Sequence, residues 1–504
     1  MAKEFNTEVT CDPRLHYMVD TTNKMKVFER LIERKKYFTI NRARQFGKST
    51  SLKWIYTHLN GEYLVVVIDF NNLNENDCIS DTAFCKALGH LIDDNINDNL
   101  FANIDSFHSL DEATRKLCEN SSKPIVLIID NADRFIIPQL ADLLSHFRAE
   151  YIERNSFERT SIFHSVILVS VKDITNLPLI IEERKFNSPW NVAANYKLDM
   201  TFNPQEISTM LVDYESEKHI GFNIDEISQE IYKYTSGYPV LVSAVCKEID
   251  ENLDRDWTKD GVLTAVNNLI KDNSAMLFKD ITKNIENNPD LKKLLRAISM
   301  ENFKISYYTD IFPVELGRLF SLLKADKHSC AQIHNLIFQQ RINNYFIAEN
   351  QFGKIESNAG PSVYTDKQGD LNMPLIINRF KDLVSKKHSK EDEFLEREGR
   401  FMFICFLKPI INGTGFYYSE PENDDGSRMD LVITYNHKEY VVELKIWHGT
   451  EYELSGRDQL SEYLDTRHLD EGYLVTFSFL KDKIVQDKPE WIDYNGKRIY
   501  EAVI

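Results

Sequence analysis

The chain has 504 residues, of which 42% are apolar, 12% aromatic and 27% charged, and its net charge is −18. These proportions exclude a disordered chain, a collagen-like fibre and a pure coiled coil, and the length suits about three domains. The acidic balance excludes a surface that binds nucleic acid throughout, so any such binding has to be local.

Residues 1–200 alternate short Val- and Ile-rich runs with longer helical patterns. Tyr37–Ile40 reads as a strand that leads through Gly47-Lys48-Ser49 into a helix reaching Tyr56. Tyr63–Phe70, Ile125–Ile129 and Val166–Ser170 read as further strands, and Tyr196–Met200 as a weak fifth. Runs this short and this apolar are buried strands, and their rhythm predicts an α/β fold with a doubly wound parallel sheet. From Asn203 the pattern becomes helical, with helices expected from Pro204, over Ile224–Lys233, over Val240–Leu253 and over Asp260–Ser274. Residues 201–288 are thus expected as a helical lid. Residues 289–352 are expected as a winged helix, with Arg341–Ile347 as its wing. The polar stretch 353–390 reads as a linker, and 391–504 as a second α/β unit.

The segment Arg42-Ala43-Arg44-Gln45-Phe46-Gly47-Lys48-Ser49-Thr50 lies between a strand and a helix. A phosphate needs convergent backbone N–H donors, and a loop entering a helix N-terminus supplies them. Gly47 lets the backbone approach closely, Lys48 reaches the β- and γ-phosphates, and the Ser49 hydroxyl is the expected Mg²⁺ ligand, with Thr50 beside it. Arg42 stands where the full phosphate-loop pattern has glycine, and Gly-Lys-Ser alone also occurs at ordinary basic turns. Arg42 and Arg44 can stabilise phosphate charge or form a solvated basic loop.

A second segment strengthens the reading. Ile125–Ile129 ends in Asp130-Asn131-Ala132-Asp133, 82 residues after Lys48. A parallel neighbouring strand would bring Asp130 to the Mg²⁺ beside the phosphate loop. Asn131 stands where such ATPases place a Glu that polarises the attacking water. An amide is no base, so turnover is expected to be slow unless Asp133 substitutes. Ser170, at the end of the fourth strand, is a candidate sensor of the γ-phosphate, or a plain strand-ending serine.

Arg44–Ser49, Asp130–Asp133 and Thr235-Ser236-Gly237-Tyr238-Pro239-Val240-Leu241-Val242 together resemble the bacterial AAA-like ATPase family. That resemblance implies ATP with Mg²⁺, and a lid turn at Gly237 and Pro239 lying against the adenine. It also brings a homo-oligomer into consideration.

Near the C-terminus, Arg428-Met429-Asp430 precedes Leu431–Tyr435, and a polar turn separates this run from Glu439–Trp447, which contains Glu443-Leu444-Lys445. Folding this hairpin about His437 sets Asp430 roughly opposite residue 444. Glu443 and Lys445 share one face of their strand. One carboxylate from each strand and one ammonium then converge. In that arrangement Asp430 and Glu443 hold Mg²⁺, and Lys445 positions the nucleophile or steadies the pentavalent phosphorus. The alternative is a surface hairpin with a salt bridge, but the neighbouring apolar residues make the strand a buried one, where charges need a reason. Glu398 interrupts an apolar helical stripe with Phe394, Met402 and Cys405 and is the candidate further acid, with Glu396 as the fallback. Gln459 shares a helical face with Tyr463 and is either a ligand of the site or a satisfied core residue.

The order acid helix, Asp, Glu-x-Lys, Gln resembles the PD-(D/E)XK nuclease superfamily, and more narrowly the nuclease-type domain that accompanies AAA-like ATPases. Met429 replaces the proline of the nominal signature. The resemblance implies a prokaryotic hydrolase in which ATP gates a Mg²⁺-dependent phosphodiesterase acting on nucleic acid, by preference DNA, in defence or mobile-element control. One count opposes simple cutting: residues 391–504 hold 13 Lys and Arg against 24 Asp and Glu, a net of −11. Nucleic-acid affinity is mostly phosphate neutralisation, so such a domain grips a duplex poorly by itself. The rival expectation is therefore a regulatory protein, switched by ATP, whose C-terminal fold docks a protein partner.

Seven scattered cysteines contain no CxxC pair, which argues against a disulfide framework and points to the cytoplasm. The N-terminus lacks the apolar core of a signal peptide, and no window holds about 18 consecutive apolar residues, so no membrane partner is expected.

Overall fold

The computed structural model describes residues 3–8, 10–41, 46–135, 137–157, 161–171, 179–181, 184–186, 190, 199–272, 276–301, 303–349, 364–387, 396–411, 415–418, 431–436, 438–446, 450–477 and 489–504. The chain divides into two compact units. The first comprises Met1–Tyr232, Gly237–Lys247 and Leu319–Ser321, and the second comprises Lys233–Ser236, Glu248–Arg318 and Leu322–Ile504.

In the first unit, α1 (Thr22–Glu33) precedes β1 (Phe38–Asn41), and α2 (Lys48–Leu59) leads to β2 (Leu64–Asp69). α3 (Asp81–Ile96) and α4 (Phe107–Asn120) follow, then β3 (Ile125–Asp130), α5 (Pro138–Phe157) and β4 (Ser165–Ser170). The four strands are parallel, in the order β1-β4-β3-β2. Both faces are covered. Leu127, Ile129, Val166 and Leu168 join a core with residues of α3, α4 and α5. Phe38 turns the other way and stacks on Phe28 of α1, ring centroids 5.9 Å apart. Burial on both sides is why these strands read as unbroken apolar runs. The expected neighbour relation needs correction, because β4 stands between β1 and the acid-bearing β3. A short hairpin, β5 (Leu179–Ile181) with β6 (Arg184–Phe186), was not anticipated. Of the expected fifth strand, residues 196–198 lie outside the described residues, and Asp199 and Met200 are not in a strand.

The four helices expected over 201–288 are present as α6 (Pro204–Lys218), α7 (Ile224–Thr235), α8 (Pro239–Asn252) and α9 (Lys259–Lys271), and a fifth, α10 (Met276–Glu286), was not anticipated. Asn203 caps α6 through a reciprocal pair with Glu206, and Pro204 opens the helix.

Next come α11 (Pro289–Glu301), α12 (Phe312–Leu319), the hairpin β7 (Leu323–Ala325) with β8 (Ala331–Ile333), and α13 (Leu336–Glu349). The wing expected at Arg341–Ile347 is therefore corrected: that stretch is helical. Asn335 caps it by accepting the Phe338 N–H at 2.8 Å, and Ile337, Phe338, Ile342 and Phe346 recur at helical spacing and are buried. The expected linker also contains structure. α14 (Met373–Lys387) buries Met373, Ile376, Ile377 and Phe380, and its Asn378 amide donates to the Tyr500 hydroxyl at 3.0 Å.

The second unit is completed by α15 (Glu396–Ile411), β9 (Gly415–Tyr418), β10 (Leu431–Tyr435), β11 (Lys438–Ile446), α16 (Thr450–Thr466), β12 (Glu471–Phe477), β13 (Glu490–Tyr494) and β14 (Lys497–Val503). Its sheet runs β13-β14-β12-β11-β10-β9. β9, β10 and β11 are antiparallel, β12 runs parallel to both β11 and β14, and β13 closes a hairpin on β14. α16 is the crossover between the parallel strands β11 and β12.

No helix among the described residues is long and apolar enough to cross a membrane.

Candidate functional site

Gly47 ends the turn after β1 with φ +75°, a left-handed conformation that favours glycine, and it caps α2. A Cβ added there would meet no atom of the described residues within 4 Å. Lys48 and Ser49 are the first residues of α2, whose free N–H groups and dipole favour an anion. Ser49 is exposed; the Thr50 hydroxyl accepts the Cys11 N–H at 3.3 Å; Ser51 is buried and donates to the Gly47 carbonyl at 2.8 Å. Arg42 and Arg44 lie outside the described residues.

Asp130 ends β3 beside Asp69, which ends β2 in register with it. Burial holds the Asp130 carboxyl above the usual carboxylate range, the Asn131 N–H opposes this, Asp69 raises it further and the Lys48 charge lowers it. Lys48 and Asp130 thus sense each other's charge at the same edge of the sheet, although they follow strands separated by β4. Asn131 adopts φ +52° and donates its amide to Asp69 at 2.8 Å. Asp133 accepts the Val171 N–H at 3.3 Å. Ser170 is fully buried and donates to the Asn41 side chain at 2.7 Å, so its hydroxyl joins the tips of β1 and β4.

Gly237 has φ +69°, and a Cβ there would fall 1.9 Å from the Phe202 carbonyl oxygen. The Phe202 N–H donates to the Gly237 carbonyl at 2.8 Å, which pins the turn. Tyr238 is buried and sets its ring edge-on to Phe46, centroids 4.9 Å apart, directly before Gly47. Pro239 opens α8. The Gly237 turn and the Gly47 turn therefore touch through two aromatic rings. Sequence reasoning missed this pairing of Phe46 with Tyr238, and it missed Asp69. The signal for Asp69 was present: β2 and β3 both end in Ile-Asp.

In the second unit, β10 and β11 pair as expected, Leu431 opposite Val442 and Tyr435 opposite Lys438. Asp430 lies outside the described residues. Glu443 is 1% exposed, and its Oε1 is 2.8 Å from the Lys445 ammonium, two residues along the same strand face. That face is covered by α16. A Cβ on Gly456 would lie 3.3 Å from Leu474 and 3.6 Å from the Lys445 stem. Gln459 follows one turn later, and its Oε1 is buried with no hydrogen-bond partner among the described residues. Gln459 thus belongs to the helix that covers the face holding Glu443 and Lys445. α15 packs on the opposite face, where a Cβ on Gly399 would come 2.5 Å from the Phe477 ring. Glu398 is a residue of that helix, and its side chain, like that of Glu396, lies outside the described residues.

Among solved structures, the chain is similar to a Walker-type ATPase of Pyrococcus abyssi at 14% identity and a TM-score of 0.46, covering 67% of this chain and 99% of that one. It is similar to the ORC2 protein of Aeropyrum pernix in its ADPNP–ADP complexes at 11% identity and a TM-score of 0.37, covering 65% and 93%. Cdc6p of Pyrobaculum aerophilum matches at 12% identity and a TM-score of 0.36, covering 68% and 97%. All three scores fall below 0.5, so the fold is read from its own strand order and not from these likenesses. No protein-family model and no curated protein matches the chain.

Proposed function

We propose that the chain binds ATP with Mg²⁺ at the Gly47–Lys48 turn and uses it to gate a Mg²⁺-dependent phosphodiesterase built on β10 and β11, acting on nucleic acid and by preference on DNA. The observation that carries the nucleotide reading is the left-handed Gly47 turn, with Lys48 at a helix start and its charge felt by Asp130. These residues fit a triphosphate. Lys48 and the first N–H groups of α2 would hold the phosphates, and the exposed Ser49 hydroxyl and Asp130 would hold the cation. Asn131 is committed to Asp69 and Asp133 to the Val171 N–H, so neither is placed as a base for water. This supports a slow switch rather than a rapid motor. The Tyr238–Phe46 contact gives the lid turn a direct route to the phosphate turn.

For the second site, buried Glu443, Lys445 beside it and the buried Gln459 oxygen on the covering helix, which has no hydrogen-bond partner among the described residues, support a cation and phosphate site. Glu443 with Asp430 would hold Mg²⁺, which when bound acidifies a water and offsets phosphate charge. Lys445 would then exchange Glu443 for the phosphate. The chain order α15, β9, β10, β11, α16, β12 supports the PD-(D/E)XK resemblance.

The 2.8 Å ion pair and the acidic balance of residues 391–504 also favour a second reading, a docking domain without turnover that ATP switches. The decisive experiment is a nuclease panel of single strand, duplex and RNA with Mg²⁺ or Mn²⁺, with and without ATP. Cleavage that rises with ATP and vanishes in both Lys48→Ala and Glu443→Gln sustains the first reading. Nucleotide binding without cleavage of any substrate sustains the second.

A further inference from the structure

Away from both sites, α4 and α5 bring three metal-ligating side chains together beneath the first unit's sheet core. Asp111 lies on α4, and His146 and Glu150 sit four residues apart on α5, hence on one helix face. His146 Nε2 is 3.4 Å from Asp111 Oδ1 and 3.8 Å from Glu150 Oε1, and the three ligand atoms all lie within 4.8 Å of one another. Ligands of a tetrahedral zinc ion, with bonds of about 2.0–2.1 Å, stand about 3.3–3.4 Å apart. The cluster therefore needs little movement to close on one ion.

A second observation points to a ligand. The Glu150 side chain is 5% exposed, and among the described residues neither of its carboxylate oxygens, nor Asp111 Oδ1 or His146 Nε2, has a hydrogen-bond partner of good geometry. Three buried carboxylate oxygens gathered round one imidazole are costly unless a shared proton or a cation joins them, and a cation satisfies them together. The surroundings fit this use. Arg115 holds Asp111 Oδ2 at 2.6 Å, which leaves Oδ1 turned towards His146 and fixes the carboxylate as an outer-shell partner does. The His146 side chain is 23% exposed, which provides an entry path.

We infer that Asp111, His146 and Glu150 form a site for one divalent transition-metal cation of the zinc class, clamping α4 to α5. The mixed nitrogen and oxygen donors select zinc, cobalt, manganese or iron over magnesium or calcium. The site is independent of the nucleotide and phosphodiesterase proposals. Its chemical competitor is a proton shared between the two carboxyls.

The test uses the full-length protein, stripped with a chelator and titrated with Co²⁺ as a visible stand-in for zinc. The expected result is one equivalent retained with the strong visible bands of low-coordinate cobalt, and a melting temperature that rises with cobalt. Glu150→Gln and His146→Gln, two near-isosteric changes, should each lose the bands and weaken cobalt binding by at least about tenfold. Glu443→Gln and Lys48→Ala should keep the bands, which separates this site from the two proposed above. Glu150→Gln removes a buried carboxylate and should fold at least as stably as the metal-free wild type; should it not, His146→Gln carries the comparison. The inference is overturned if the stripped wild type takes up no cobalt, if both variants hold it as tightly, or if the bands vanish in Glu443→Gln.

Discussion

The two sheets of this protein place their polar side chains differently. In the first unit, Asp69, Asp130 and Ser170 stand at strand ends, where the chain turns and backbone N–H groups come free. Asn131 and Val171 supply such groups to Asp130 and Asp133. In the second unit, Glu443 and Lys445 stand within a strand whose neighbours are occupied by β10 and β12, and they answer each other at 2.8 Å. Strand-end carboxylates can be neutralised by backbone and remain ready for a cation. A carboxylate inside a sheet needs a counter-charge from the start. On the proposed reading, the first arrangement would receive an anion with its metal directly, whereas the second would release an ion pair before receiving either.

The sharpest break of this comparison is Gly237→Ala, since both the positive φ and the 1.9 Å approach to the Phe202 oxygen oppose a side chain. A loss of about 3–5 kcal/mol is expected, read as a fall in Tm that bound ATP only partly restores. Lys48→Ala should leave Tm near wild type and weaken ATP binding on the order of 100-fold, measured by calorimetry. For the in-strand pair, Lys445→Ala leaves the 1%-exposed Glu443 without this partner and should cost about 2–3 kcal/mol. Glu443→Gln leaves the 24%-exposed Lys445 and should cost less, about 1 kcal/mol, so denaturant melts of the two variants test which charge is the buried one.

An effect of similar modest size concerns Lys408, whose ammonium is depressed by burial from 10.5 to about 8. A base whose folded value lies below its unfolded value costs stability below about pH 8, and that cost fades between about 8 and 10.5. Lys408→Met should therefore stabilise the protein by about 1–2 kcal/mol at pH 7, and the gain should shrink as the pH rises above 8. A gain that is flat with pH would remove the titration from the explanation.

Much of this arrangement was legible in the chain. Unbroken apolar runs such as Ile125–Ile129 exist because both faces of a parallel sheet are buried, and the Asn203–Glu206 cap marks the start of α6 by local chemistry alone. The hairpin of β10 and β11 was legible because its turn is short and its two runs are β-rich. What failed to read was non-local. The polar surroundings of α14 hid a helix whose apolar face is one stripe, and Arg341–Ile347 sets an Asn-Asn pair, a common turn signal, between β-prone residues and so imitates a wing.

Sequence by itself determined where the Gly47-Lys48-Ser49 turn and the charged motifs stand, that the long apolar runs of the first unit are strands, and that Glu443 and Lys445 share a face, because these follow from backbone periodicity and local hydrogen bonding. Tertiary structure alone decided that β4 separates β1 from β3, that Tyr238 meets Phe46, that α15 and α16 take opposite faces, and that Asp111 meets His146 and Glu150. Strand order and helix packing are settled by which apolar faces bury best against each other across long stretches of chain, and no local pattern carries that information.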